Sequence, residues 1–271
     1  KDLRPLAHLI THTLKFKPES MESFDDKTLS VAMRFLPGLI KSMGSNFLKL
    51  VFQFVPEMMM ALRGGFPKMI LLVEFTSNNA DELARTTNAF FESTKPYDVQ
   101  ARIIRSDAEA KKYWTIRRQS FNLLHSHSKG KEAAAFIDDI IVKPEYLPEF
   151  LPKLNAILDR YKNALIYTIA GHPGNGNFHI IPLMDLKNHD VRLLIPKISD
   201  EVYDLVLQYK GSITAEHNDG LIRTPYLEKM YGAKMVKLFE QVKKIFDPKN
   251  ILNPRKKVGG DLKYSMNHIK K

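Results

Sequence analysis

The spacing of apolar residues changes several times along the chain, and each change predicts an element. Met69–Phe75 (MILLVEF) is a short continuous apolar run that predicts a buried strand, followed by Ser77-Asn78-Asn79, whose side-chain oxygens suit a helix N-cap. Leu83, Ala84, Thr87, Phe90 and Phe91 share one helical face, Pro96 ends that unit, and Val99–Ile104 is the next predicted strand, completing β-α-β. Asp107 opens a predicted helix through Trp114, Phe121 and Leu124, a polar linker covers Ser126–Lys131, and Ala135–Val142 follows as a strand. Leu147, Phe150, Leu151, Leu154, Leu158 and Tyr161 recur at helical spacing before a strand at Leu165–Ile169, and Phe178–Pro182 forms the strand after the next turn. Ile198, Val202, Leu205, Val206 and Tyr209 predict an amphipathic helix over Lys197–Lys210, which Gly211 breaks before a strand at Ser212–Ala215. A last helix carries Met235, Leu238, Phe239, Val242, Ile245 and Phe246 and stops at Asp247-Pro248.

This order predicts an α+β fold, a ferredoxin-like split β-α-β sandwich in which helices cover an antiparallel sheet. Duplication is expected, although no sequence repeat marks it. The expected organisation is an N-terminal segment over 1–67 with an apolar helical insertion, a main domain over 68–260 and a basic tail over 261–271. Residues 31–62 are conspicuously apolar, but Arg34, Lys41, Lys49 and Glu57 interrupt them before a spanning helix accumulates. A buried insertion is the favoured reading there, and a lid or a peripheral membrane contact the alternative.

Composition narrows the chemistry. The 271 residues contain no cysteine, so disulfides, thiolate metal sites and iron–sulfur ligation within this chain are excluded, and nine histidines become the first candidate ligands. A net charge of +11 suits an acidic partner, yet the cations are dispersed and lack interleaved aromatics, so nucleic acid is not an expected partner. The chain starts at Lys1 with no signal-peptide pattern; it reads as a fragment of a cytoplasmic protein, with contact to the inner membrane face left open.

GHPGNGNFH, Gly171 to His179, is the most informative segment. It places two imidazoles around three glycines at a predicted strand-to-strand turn. Glu216-His217, inside GSITAEHNDG, adds a carboxylate and a third imidazole at a predicted strand end. His172, His179 and Glu216 form a candidate three-ligand set for a divalent cation with a position left open for substrate, and a neighbouring group is available as general base. A histidine pair alone more often means a glycine turn with hydrogen-bonded surface imidazoles. A phosphate cradle is disfavoured, because no helix and no Lys-Ser/Thr ending follow the glycines.

GHPGNGNFHIIPLMDL, then GSITAEHNDGLIRTPYLEKMYG, then FEQVKKIFDPKNILNPRKKVG closely resemble the C-terminal domain of FAD-linked oxidases. That group comprises the D-lactate, D-2-hydroxyglutarate and glycolate dehydrogenases among the vanillyl-alcohol-oxidase-type flavoproteins, with motifs GHxGDGNxH, GxxSGEHGxG and FDPxxxLNPGK. FIDDIIVKPEYLPEFL also resembles the segment that precedes the first motif. The resemblance covers residues 68–260 well and the first 67 loosely.

What it implies is a substrate, or cap, domain of an FAD-dependent enzyme that oxidises a D-2-hydroxy acid to the 2-oxo acid by hydride transfer to flavin. It makes His172, His179 and Glu216 metal ligands, with zinc or manganese expected, and His217 the base beside the flavin. Asn177 becomes a substrate or flavin-side hydrogen-bonding group, and Asn253 a group near the cofactor. Arg117, within WTIR, is implied to grip the substrate carboxylate. A guanidinium fork suits that task, and an ordinary ion-paired arginine is the equal alternative. The expected partners are the hydroxy acid, an FAD-binding domain of the same polypeptide that this chain does not contain, and an electron-accepting protein or quinone. Two positions depart from the motifs: Asn175 stands where Asp is usual, removing a charge beside the ligands, and Asn218 stands where Gly is usual, though asparagine tolerates left-handed backbone. Competing readings are a metal-binding or interaction module without redox activity and a metal-dependent hydrolase.

Overall fold

A computed structural model describes residues 6–28 and 67–269, apart from 98, 108, 112, 116 and 118–129. The expected helices covering one antiparallel sheet are present. Helix α1 (Leu6–Leu14) leads to β1 (Ser20–Asp25), which pairs with β2 (Met69–Glu74), and α2 (Ala80–Ser93) follows. Two short strands, β3 (Glu132–Ala133) and β4 (Ile140–Ile141), precede α3 (Leu147–Asp159), β5 (Leu165–His172), β6 (Asn177–Met184) and α4 (His189–Gln208). The sheet order is β2-β1-β5-β6-β3, and β4 also pairs with β6. Helix, strand, strand, helix thus occurs twice, and the two hairpins join antiparallel through β1 and β5, with Ser23 opposite Gly171 and Phe24 opposite Ala170. The first 67 residues therefore supply an inner strand, and the sheet crosses the boundary expected between 67 and 68.

Strand parity decides what each face carries. Leu165, Tyr167 and Ile169 of β5 and Phe178, Ile180 and Met184 of β6 belong to one buried cluster with Phe150 and Leu154 of α3 and Ile198, Val202 and Tyr203 of α4. Each large aliphatic or aromatic side chain buried there contributes about 1.5–3 kcal/mol. The residues of opposite parity, among them His172 and His179, leave the sheet on its other face. Helix starts follow the expected chemistry: Asn79 Oδ1 accepts from Asp81 and Glu82 N–H at 2.9 and 3.1 Å, and Asn188 caps α4 in the same way.

Three predicted strands are corrected. Val99–Ile104 is irregular among its described residues, so β-α-β is not completed there. Ala135–Val142 pairs only at Ile140–Ile141, because the chain bends through Phe136–Asp139 and turns two aspartates away from the ladder. Ser212–Ala215 makes a single bridge, Ser212 to Ile141, because the Asp139 carboxylate, not a neighbouring strand, takes up the backbone N–H groups of 215–217. The helix expected from Asp107 is present at its described residues up to Arg117, whereas Phe121, Leu124 and the apolar stretch 31–62 fall outside the described residues. Among the described residues no helix is long and apolar enough to cross a membrane.

Candidate functional site

The β5–β6 turn requires glycine at two points. A Cβ on Gly171 would lie 2.4 Å from Asn177 O, and one on Gly176, whose φ is +76°, would lie 1.7 Å from Val142 O. His172 faces Asn177 across the hairpin, and His179 faces Ala170. The two imidazoles are therefore diagonal neighbours on one sheet face, with ring centroids 5.3 Å apart and planes at 88°. Continuing the β1–β5 register by one residue brings Glu22 level with His172 on the same face.

Three imidazoles converge on one atom. Oε1 of Glu216 lies 3.3 Å from His172 Nε2, 3.2 Å from His179 Nε2 and 3.7 Å from His217 Nε2. Each Nδ1 is held from behind by a carboxylate: His172 by Glu22 at 2.9 Å, His179 by Asp138 Oδ1 at 3.1 Å and His217 by Asp138 Oδ2 at 3.1 Å. The cluster opens toward Glu216 and His217, whose side chains are 51% and 44% exposed against 11% for His179.

Asp139 sits beneath this cluster as an anchor. Its carboxylate is fully buried and accepts from the backbone N–H groups of Ala215, Glu216 and His217 at 2.8, 3.0 and 2.9 Å, and from Asn177 Nδ2 at 3.1 Å. Burial drives its pKa up, but the backbone bonds, led by His217, outweigh that and hold it below the usual carboxylate value. Asp139 lies close enough to His179, Glu216 and His217 to join them around an ion. Its oxygens are already committed to backbone donors, so we assign it to holding the Glu216-His217 segment and keep His172 in the converging set.

On the opposite side, Glu22 accepts from His172 and, through its other oxygen, from Arg117 Nε at 3.0 Å. Burial raises the Glu22 carboxyl, and the bonds to His172 and Arg117 overcome it, leaving a lowered pKa; in return the Glu22 bond raises His172 against the effect of that ring's burial.

Thus His172, His179, Glu216 and His217 are brought together, and Arg117 is tied to them through Glu22. Asn177 is 3% exposed, and its Nδ2 donates to Asp139 and to Ile140 O at 3.1 Å, which braces the turn that carries His172 and His179, while its Oδ1 has no hydrogen-bond partner among the described residues. Asn253 lies in an exposed loop at φ +47°, with Lys256 as its partner, and is not one of the groups converging on Glu216. That loop is linked to the site through Lys257, whose ammonium reaches the Asp219 carboxylate and Asn218 Oδ1. Asn218 adopts the left-handed conformation expected of it, φ +67°, and Asn175 is exposed at the turn tip, its N–H closing onto His172 O at 3.0 Å.

Sequence reasoning missed Glu22, Asp138, Asp139 and Arg223. Two aspartates inside the apolar run FIDDIIV were a usable signal, since unpaired carboxylates are rarely buried. Nothing in SMESFD distinguished Glu22 from a solvated residue.

The sequence profile of the family described as FAD linked oxidases, C-terminal domain, matches residues 6–257, and the chain belongs to that family. D-2-hydroxyglutarate dehydrogenase of Pseudomonas putida is 30% identical over 258 residues, covering 94% of this chain and 24% of that protein. The enzyme of the same name from Haemophilus influenzae is 28% identical over 192 residues, 68% of this chain and 18% of that protein. Mitochondrial D-lactate dehydrogenase [cytochrome] of Arabidopsis thaliana is 30% identical over 151 residues, covering 55% of this chain and 26% of that protein. The chain thus spans about a quarter or less of the length of these relatives. Two solved structures share the fold: an alkyldihydroxyacetonephosphate synthase (TM-score 0.51, 13% identity, 94% of this chain and 42% of that chain) and 4-ethylphenol oxidase from Gulosibacter chungangensis (TM-score 0.50, 14% identity, 91% and 55%).

Proposed function

We propose that this chain is the substrate-binding and proton-accepting part of an FAD-dependent dehydrogenase that oxidises a D-2-hydroxy acid, of the D-2-hydroxyglutarate, D-lactate or glycolate type, to the 2-oxo acid. The observation that carries this reading is the meeting of three Nε2 atoms at one Glu216 oxygen, open to solvent on the His217 side.

The donor set fits a divalent cation of the zinc or manganese class: two imidazoles whose far nitrogens are held by carboxylates, plus one carboxylate, with room left for substrate oxygens. His172, His179 and Glu216 would hold the ion, and when bound it would supply charge stabilisation for the substrate's carboxylate and hydroxyl oxygens. FAD, carried mainly by another domain of the same polypeptide, would supply the hydride acceptor.

The remaining work belongs to this chain. His217 Nε2 points into the opening and takes the hydroxyl proton, because its Nδ1 is engaged by Asp138. Arg117, tied to the site through its Nε bond to Glu22, would take the substrate's carboxylate, a task that a guanidinium suits. Asn177 supports the turn that carries His172 and His179.

The test uses the full-length protein loaded with FAD. Its reduction of a dye acceptor is measured with D-2-hydroxyglutarate, D-lactate and glycolate, and His217→Ala is expected to abolish turnover while leaving the flavin spectrum intact. Undiminished turnover in that variant removes His217 from the mechanism. Absence of activity with all three acids, in protein that carries flavin and the cation, rejects the substrate class.

A further inference from the structure

We infer that Asp138 is the positioning residue of this site: one carboxylate sets the same tautomer in a ligand, His179, and in the base, His217, and so aims both Nε2 atoms at a single point. The inference rests on the function proposed above and extends the part of Asp138 from holding His217 to setting one tautomer in both rings.

Asp138 contacts each imidazole with a different oxygen, Oδ1 to His179 Nδ1 and Oδ2 to His217 Nδ1, both at 3.1 Å. An ionised carboxylate only accepts hydrogen bonds, so both contacts require a proton on Nδ1 and leave the lone pair of each neutral ring on Nε2. The two rings stack with centroids 4.8 Å apart and planes 13° from parallel, which directs the two lone pairs side by side. Both Nε2 atoms then face Glu216 Oε1, at 3.2 and 3.7 Å.

The pose of Asp138 is fixed from its own backbone. Its carbonyl accepts from Arg223 Nη1 at 2.9 Å; Arg223 is only 6% exposed and also donates through Nε to Asn218 O at 3.2 Å. Its neighbour Asp139 is clamped by the backbone of 215–217. One buried network thus fixes the carboxylate and the segment bearing His217 together, so the separation between ligand and base does not depend on loop position. Glu22 performs the corresponding task for His172 alone, and its second oxygen goes to Arg117.

Asp138→Asn gives a specific prediction. The amide keeps one acceptor and gains a donor, so one of the two imidazoles must accept at Nδ1 and carry its proton on Nε2, where it neither ligates nor takes a proton. Zinc and manganese affinity of the full-length protein, measured by chelator competition before substrate is added, is expected to fall about 10–100-fold if His179 reverses. If His217 reverses, affinity holds and kcat falls about 10²–10⁴-fold with little change in KM. Asp138→Glu keeps both acceptors and is expected to recover most of the lost property; unfolding midpoints measured alongside separate this from general destabilisation.

A folded Asp138→Asn protein with affinity and kcat both within about threefold of the parent overturns the inference. So does Asp138→Glu, if it folds and is as deficient as Asp138→Asn. Where the parent oxidises none of the three acids, an outcome that rejects the proposed substrate class alone, Asp138 is judged by affinity together with the His179 and His217 tautomers read from ring ¹⁵N shifts, and unchanged affinity with both tautomers unchanged in Asp138→Asn overturns the inference. A parent that binds neither cation and oxidises none of the acids rejects both.

Discussion

Helix α4 (His189–Gln208) and the later helix Ala233–Phe246 show the same amphipathic spacing and end in opposite situations. The first buries Ile195, Ile198, Val202, Tyr203, Leu205 and Val206 against α3 and the sheet. The second buries nothing: Leu238 and Val242 are about half exposed, Ile245 is 74% exposed and Phe246 82%. Periodicity identifies a helix and its apolar face, but it carries no information about what lies against that face. The difference teaches that the β5–β6 half of the molecule is specified by its interior, whereas the helix Ala233–Phe246 presents an apolar face that the described residues cover only at Phe239, which packs against Tyr231.

The largest expected effect comes from the interior half. Gly176→Ala puts a methyl group against Val142 O and is expected to cost more than about 4 kcal/mol, read as a collapse of the thermal transition. An unfolding midpoint within a few degrees of the parent would mean that the β4 segment yields freely, and the contrast between the two halves would weaken. Next, Ile198→Ala, at a fully buried position, is expected to lose about 2–5 kcal/mol in urea unfolding.

The third effect lies where the two hairpins join. Asp25 accepts from Thr28 N–H at 2.8 Å and Ile169 N–H at 3.0 Å, yet burial outweighs these bonds and pushes its pKa to about 6 from 3.8. A carboxyl whose folded value is raised stabilises the fold most when protonated. Its contribution is full below about pH 4 and disappears as pH rises through 6, a swing of about 3 kcal/mol at most. Asp25→Asn should remove that slope, so parent and variant stability curves that stay parallel from pH 4 to 7 would exclude Asp25 as its source. The smallest effect is expected at the bare helix. Ile245→Ala should change unfolding free energy by less than about 0.5 kcal/mol, and a loss comparable to that of Ile198→Ala would show that the face is covered after all.

Much of the fold was legible because its signals are local. The α3 face of Leu147, Phe150, Leu151, Leu154 and Leu158 is buried as the spacing indicated, and β5 and β6 flank the glycine turn as expected. The candidate site was legible in part: His172, His179, Glu216 and His217 announce themselves by residue type beside glycines. Their carboxylate supports did not, because Glu22 is 150 residues from His172 and an acid in a polar stretch resembles any solvated acid. The contact that Asn177 makes with Asp139 was illegible for a related reason. An amide flanked by glycines suits a ligand contact, but the bend through Phe136–Asp139 brought a buried carboxylate beneath it.

By itself the sequence determined the identity of the chemical groups and the strand parity that sends His172 and His179 to one face, since residue type and two-residue alternation are properties of the chain. Only tertiary structure decided that Glu22 would stand beside His172, that one aspartate would serve two imidazoles and that two amphipathic helices would differ in burial. Those outcomes depend on which distant segments pack together, and packing is a many-body competition that local spacing does not encode.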